Sequence, residues 1–254
     1  MLACENLSLD VQETNLLSNV SAEVVSGAIT IVIGPNGAGK SSLLRALAGE
    51  LMPSSGDIFL NTRNLRDLKL KEAASVRSVM SQSPNIVFDF SVKDVVLFGW
   101  PDDCAICWDT VEEVALSSGI QALLPRRFNS LSGGEKQRVH FARALLQLQS
   151  GGKELAGKFM LLDEPTSSLD IAHSLHLLFL IKQTATHGLG ALVVLHDLNL
   201  AARFADHVIL MAQGRIVRQG NVEYALNANV LSEVYGTKII VERHQVLDRL
   251  VIYA

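Results

Sequence analysis

An α/β fold is predicted, with a mostly parallel sheet wrapped by helices, an antiparallel β flank and an inserted α-helical subdomain. Three observations predict it. A glycine-rich loop, Gly34-Pro35-Asn36-Gly37-Ala38-Gly39-Lys40-Ser41-Ser42, lies between an apolar run at 29–33 that reads as a buried strand and a helix-forming run at 43–48. From residue 159 onward, short apolar runs alternate with helical patterns, as in a parallel sheet with crossover helices. Between 91 and 147 the periodicity is helical only.

Taken in order, residues 1–9 and 20–25 are short apolar or alternating runs with a turn expected at 12–15, so they read as strands of the antiparallel flank. The glycine-rich loop and its helix follow. Pro53-Ser54-Ser55-Gly56 is a turn, 57–60 a strand and 76–81 another, which ends at Gln82 because Ser83-Pro84 must break regular structure. Ser91 can cap a helix over 92–98. Val111, Val114 and Ala115 fall at helical spacing within 109–118, and 133–147 forms a third helix. The stretch 149–157, with its glycines, reads as an exposed loop. Then come a strand at 159–163, a helix at 171–186, a strand at 191–195, a helix at 198–204 and a strand at 208–211. The tail from 216 mixes short helices with a final hairpin, 239–241 against 246–252.

With 254 residues, 48% of them hydrophobic, the chain suits one large domain or two small ones and can build a sizeable core. A formal net charge of −4 gives no general pull toward nucleic acid, which is not an expected partner. Three cysteines, Cys4, Cys104 and Cys107, suit a reducing compartment better than a disulfide framework. Cys104-Ala105-Ile106-Cys107 lacks a second pair or a nearby histidine, so a helical surface turn is expected there. The first ten residues show neither the basic start nor the apolar stretch of a secretory signal. No apolar run approaches the roughly 20 residues of a bilayer span. A soluble or peripheral protein is expected, and a mean hydropathy of +0.27 leaves room for an apolar docking face.

The chemistry begins at the glycine-rich loop, which fits G-x-x-x-x-G-K-[ST]. Its glycines let successive amides point at one phosphate chain, and the following helix adds its positive dipole end. Lys40 is placed to reach the β- and γ-phosphates, and Ser41 to put a hydroxyl on Mg²⁺. A plain glycine turn with an exposed lysine does not require strand, loop, Lys-Ser and helix in that order. Phe159-Met160-Leu161-Leu162-Asp163-Glu164 is an apolar strand ending in two carboxylates. Asp163 can hold the Mg²⁺ shell, and Glu164 can orient and deprotonate the attacking water, whereas a solvated acidic strand end is the plainer alternative. Gln82 and His196 also stand at strand ends, and His196 could hydrogen-bond a γ-phosphate. Leu131-Ser132-Gly133-Gly134-Glu135 adds a second helix start with a capping hydroxyl and bare amides, again suited to an anion. His173 and His176 carry no ligand set and read as structural or surface residues.

In combination these segments resemble the ATP-binding subunit of an ABC transporter over essentially the whole chain. The matching residues are the Walker A loop from Gly34 to Ser41, Gln82, the signature from Leu131 to Glu135, Walker B through Asp163, Glu164, the D-loop Ser168-Leu169-Asp170 and His196. The resemblance implies one domain, 1–254, with a P-loop NTPase (RecA-like) core at about 1–84 and 153–254 and a helical subdomain at about 85–152. It implies an ATPase using ATP and Mg²⁺, with Glu164, His196, Lys40 and Gln82 catalytic and Ser41, Gln82 and Asp163 around the metal. It further implies a head-to-tail homodimer. Each nucleotide would lie between one copy's loop, Gly34 to Ser42, and the other's Ser132, Gly133 and Gly134, with Asp170 nearby. Gln82 and the helical subdomain would face two integral-membrane permease subunits, which engage a periplasmic substrate-binding protein. The subunit would then sit peripherally on the cytoplasmic face of the inner membrane.

Two departures stand out. No aromatic residue near Val11 is available to stack on adenine, so weak discrimination between ATP and GTP is expected. Ser42 replaces a commoner threonine and keeps the hydroxyl. Leu169-Asp170-Ile171-Ala172-His173 and Leu231-Ser232-Glu233-Val234-Tyr235-Gly236 resemble the iron-chelate, haem and cobalamin importer group. The insertion before Phe159 is most similar to haem members, with ferric siderophore and then cobalamin as alternative cargoes. A soluble ABC ATPase acting on nucleic acid, and a nucleotide switch without catalysis, are the other readings. Long coiled coils and basic extensions are missing for the first, and Glu164 argues against the second.

Overall fold

A computed structural model describes residues 1–12, 14–81, 88–101, 104–167 and 169–254. The chain opens with β1 (Leu2–Val11), β2 (Thr14–Val24) and β3 (Ile29–Ile33), followed by α1 (Lys40–Leu47), β4 (Ser55–Leu60), β5 (Arg63–Asn64), α2 (Leu70–Val76) and β6 (Arg77–Met80). A helical stretch follows: α3 (Val92–Leu97), α4 (Trp108–Ser117) and α5 (Gly133–Gln149). Alternation then resumes with β7 (Phe159–Asp163), α6 (Ile171–Thr186), β8 (Gly190–Val194), α7 (Leu198–Phe204), β9 (His207–Ala212) and β10 (Arg215–Gly220). The chain closes with α8 (Val222–Ala225), α9 (Ala228–Tyr235), β11 (Ile240–His244) and β12 (Arg249–Tyr253).

Among the described residues, six strands form the main sheet in the order β10-β9-β3-β8-β7-β6, parallel except for β10 at the edge. The flank is a separate antiparallel sheet, β2-β1-β4-β5, and β11 pairs with β12 as a hairpin. Because side chains alternate along a strand, the main sheet divides its apolar residues between two cores. Ile31, Ile33, Met160, Leu162 and Val193 face the helical side with α3 to α7. Val32, Leu161, Leu192 and Val194 face α1 and the flanking sheet. The main sheet is therefore covered on both faces, and its functional residues emerge only at strand ends.

Several expectations need correction. The turn expected at 12–15 is tighter than that: it holds Gln12, while Thr14 and Asn15 already pair with Val11 and Asp10, so β2 begins well before residue 20. Register shifts along β1 break the apolar alternation that would have revealed this. Helix α2 was not expected, since Ala73 is its one buried residue and leaves no amphipathic stripe. Strand β10 falls in the tail that was read as short helices and a hairpin. Cys104 and Cys107 are exposed as expected, but Cys107 stands just ahead of α4 as its N-cap rather than in a helical turn.

Candidate functional site

Parallel strands deliver their C-terminal ends to one edge of the sheet, where open α/β folds bind ligands. At that edge β3 opens into Gly34, β7 runs into Asp163 and Glu164, β8 leads to His196, and β9 runs out before Gln213 and Gly214. A cleft of about 470 Å³ lies there, lined by loop residues 36–42 with Glu164 and His196, and by Leu16 and Gln213 from the neighbouring hairpins.

The loop's shape is dictated by packing as well as by ligand chemistry. Gly34 has φ 148°, and a Cβ there would overlap the carbonyl oxygen of Met211 on β9. Gly39 caps α1 at φ 95° without any side-chain hydrogen bond. The first helical bond runs from Leu43 N to Gly39 O at 2.9 Å, so the amides before Leu43 stand outside the helix ladder. Lys40 is only 5% exposed, and its Nζ donates to the carbonyls of Gly34 at 2.8 Å and Pro35 at 2.9 Å. Burial pushes its ammonium down from the usual lysine range, opposed by the nearby carboxylates of Glu164 and Asp163. A desolvated cation whose hydrogen bonds go to neutral carbonyls gains from an arriving anion.

Ser41 Oγ donates to Asp163 Oδ1 at 3.0 Å. Burial pushes the Asp163 carboxyl up, against the Ser41 hydrogen bond, and Glu164 adds to the rise. A hydroxyl and a carboxylate whose charge is disfavoured by burial form a hard-oxygen pair that fits Mg²⁺. No cluster of three or more His, Cys, Asp or Glu suited to a metal occurs among the described residues. Such an ion would draw its other ligands from phosphate and water, as Mg²⁺ ordinarily does. Glu164 adopts φ 47°, uncommon for a glutamate, and its carboxylate is hydrogen-bonded to His196 Nε2. The base candidate and the histidine are thus one unit.

Other sequence-identified residues lie outside this cleft's lining. Ser132 caps α5, its Oγ accepting from Glu135 N at 3.3 Å, while Glu135 Oε2 accepts from Ser132 N at 2.8 Å. Gly134 packs against α6, where an added Cβ would come within 2.5 Å of His173 Cδ2. Gly133 begins the helix between them. Asp170 caps α6, accepting at 2.8 Å from both the backbone amide and ring Nδ1 of His173, bonds that hold its carboxyl below the usual range. Gln82 and Ser168 lie outside the described residues.

Sequence reasoning missed Thr14, Asn15, Leu16, Gln213 and Gly214 as cleft residues. A signal existed for the last two. Gln213 (φ 50°) and Gly214 (φ 72°) form a two-residue hairpin turn with both φ positive, a turn for which X-Gly is the sequence mark.

The ABC transporter family pattern matches residues 17–167. The chain belongs to that family. It is an ABC-type ATPase subunit with ATP and Mg²⁺ as cofactors, and it works with a membrane permease. Among curated relatives, the hemin import ATP-binding protein HmuV of Rhodopseudomonas palustris (strain BisB18) is 37% identical over 241 residues, which cover 94% of this chain and 90% of the relative. The hemin import ATP-binding protein HmuV of Bradyrhizobium diazoefficiens is 36% identical, with 96% and 91% covered. In fold, the chain is similar to a putative metal-chelate type ABC transporter in an inward-facing conformation, with a TM-score of 0.81 at 24% identity, covering 100% of this chain and 97% of that one. A nucleotide-free ATP-binding cassette also gives 0.81, at 21% identity, with 92% and 98% covered. No helix among the described residues is long and apolar enough to cross a membrane.

Proposed function

We propose that this chain is the ATP-hydrolysing subunit of a bacterial importer, and that its ATP drives haem uptake through a membrane permease. The observation that carries the cargo is the set of hemin import ATP-binding proteins at 36–38% identity over 94–96% of the chain. The chain is one domain, with its core at about 1–84 and 153–254 and the helical subdomain at about 85–152. Two copies work head to tail beneath two permease subunits, on the cytoplasmic face of the inner membrane. A periplasmic binding protein delivers cargo from the other side, and nucleic acid has no part.

In this reading the loop Gly34 to Ser42 takes the phosphate chain on its free backbone amides, and Lys40 exchanges the Gly34 and Pro35 carbonyls for phosphate oxygens. Ser41 and Asp163, with Gln82, would hold Mg²⁺, and the chemistry such an ion would supply there is neutralisation of phosphate charge. Glu164 accepts the proton of the attacking water, while His196 fixes that carboxylate and presents its ring toward the γ-phosphate. Ser132, Gly133 and Gly134 of a second copy close the site, with Asp170 beside them.

The test is uptake into vesicles holding the chain with its co-purified permease and internal ATP. Haem accumulation with phosphate release is expected. Uptake of a ferric siderophore or cobalamin without haem would overturn the cargo, and absence of phosphate release would overturn the motor itself.

A further inference from the structure

Helix α5 begins with an anion-attracting end and carries a carboxylate three residues past its cap. Glu135 completes the capping box by accepting from the Ser132 amide at 2.8 Å. The same carboxylate sets a negative charge in the first turn, which suits the helix dipole but repels any phosphate approaching that end. A glutamine would complete the box without the charge. The glutamate therefore has an electrostatic consequence that its capping role does not require.

Arg126 answers that charge. Its Nη1 donates to Glu135 Oε1 at 3.0 Å, and its Nη2 donates to the Ser130 carbonyl at 3.5 Å. Its backbone carbonyl accepts from Val92 N at 2.9 Å, which ties this segment to the start of α3. Nearby cations are engaged elsewhere: Arg127 donates to the Asp89 carbonyl, Arg138 to the Gly119 carbonyl, and Lys136 lies over the Phe128 ring. Arg126 is half exposed, and an ion pair of that kind adds little to folding. Its value lies in the field at the α5 end.

We propose that Arg126 is a positioning residue that cancels the Glu135 charge, so that the turn Ser132-Gly133-Gly134 can receive the γ-phosphate of ATP held by a second copy. The inference rests on the shared-site reading given above. It concerns the affinity of the closed site for ATP and leaves the chemistry at Glu164 unaltered.

A double-mutant cycle on the full chain tests it, with KM for ATP and kcat read separately at low and high salt. R126A is expected to raise KM roughly three- to fivefold with little change in kcat, the scale of one charge at a helix end. High salt should shrink the effect. In the E135Q background, which keeps the capping box, adding R126A should leave KM unaltered. A structural brace would show no such dependence on the charge of residue 135, and a double variant matching E135Q also demonstrates that loss of Arg126 does not unfold the protein. If R126A never raises KM, or raises it equally in both backgrounds, the proposal is wrong. A parallel S132R variant separates the two ideas. If S132R hydrolyses normally, the shared site itself fails; if S132R is inactive and the cycle shows no coupling, only the role of Arg126 falls.

Discussion

The N-termini of α1 and α5 are built from similar residues and left in opposite conditions. α1 is capped by Gly39 with no side-chain bond, and Lys40 is folded back onto loop carbonyls, so its amides await an external acceptor. α5 is capped by Ser132 and closed by Glu135, with Arg126 behind it. One end is an open receptor, while the other carries a capping box and a charge pair from its own chain. The difference teaches that glycines and a helix dipole do not by themselves make a nucleotide site. Among the described residues, the α1 end adds a cleft, a metal-suited pair and a carboxylate–histidine unit. On the proposed reading, the α5 end becomes a site only against a second copy.

The largest expected effect is at the α1 side. Glu164→Gln should lower phosphate release by roughly 10² to 10⁴-fold, the worth of a general base, while ATP binding persists. Size-exclusion chromatography with ATP should then show an accumulated dimer. Unimpaired turnover would remove Glu164 from the base role.

Acid should act on α5, because α5 buries His140 between Phe128 and the helical core. Burial, with Arg143 and Lys136 nearby, pushes this imidazole down to about 4 from 6.5. The folded value lies below the unfolded one, so between pH 6.5 and 4 the unfolded chain binds a proton that the folded chain refuses. Stability is therefore lost as pH falls through that window, by on the order of 3 kcal/mol. His140→Phe, which keeps an aromatic against Phe128, should flatten the loss when denaturant midpoints are compared at pH 7 and pH 4.5. An unaltered slope would contradict the assignment.

Next in size is the contact that seats α5 on α6. Gly134→Ala should cost about 1–3 kcal/mol as overpacking against His173, and adding His173→Ala should recover part of it in urea titrations. Additive losses would mean the two helices do not meet through this pair. The smallest effect concerns the base. No Phe, Tyr or Trp is present among the described residues lining the α1 cleft, so the base is held weakly and ATP and GTP should bind within roughly threefold of each other. A strong ATP preference in a competition assay would contradict this.

Legibility in the sequence followed periodicity. Helices Ile171–Thr186 and Leu198–Phe204 were readable to the residue, because Asp170 and Asp197 cap them and their apolar spacing is regular. Strands β3, β7 and β8 were readable as unbroken apolar runs, since both faces are buried. Helix α2 was hidden because it buries a single alanine, and β10 because an edge strand with one exposed face alternates only weakly. For the site, local motifs placed Lys40, Ser41, Asp163 and Glu164 in advance. Leu16 carried no mark, and the X-Gly pair at Gly214 marked a turn but not its place, because both enter the cleft from hairpins far away in sequence, where three-dimensional packing sets them beside Gly39.

The contrast between the two helix ends comes down to whether they complete one another across two copies. The direct measurement is complementation between Lys40→Ala, disabled at the α1 end, and Ser132→Arg, disabled at the α5 end. Each protein alone should release no phosphate, because both composite sites of its dimer are damaged. In a mixed dimer, one site combines the intact Lys40 of one copy with the intact Ser132 of the other. Phosphate release that appears only on mixing is the expected result, and a mixture as inactive as its components would contradict a site shared between two chains.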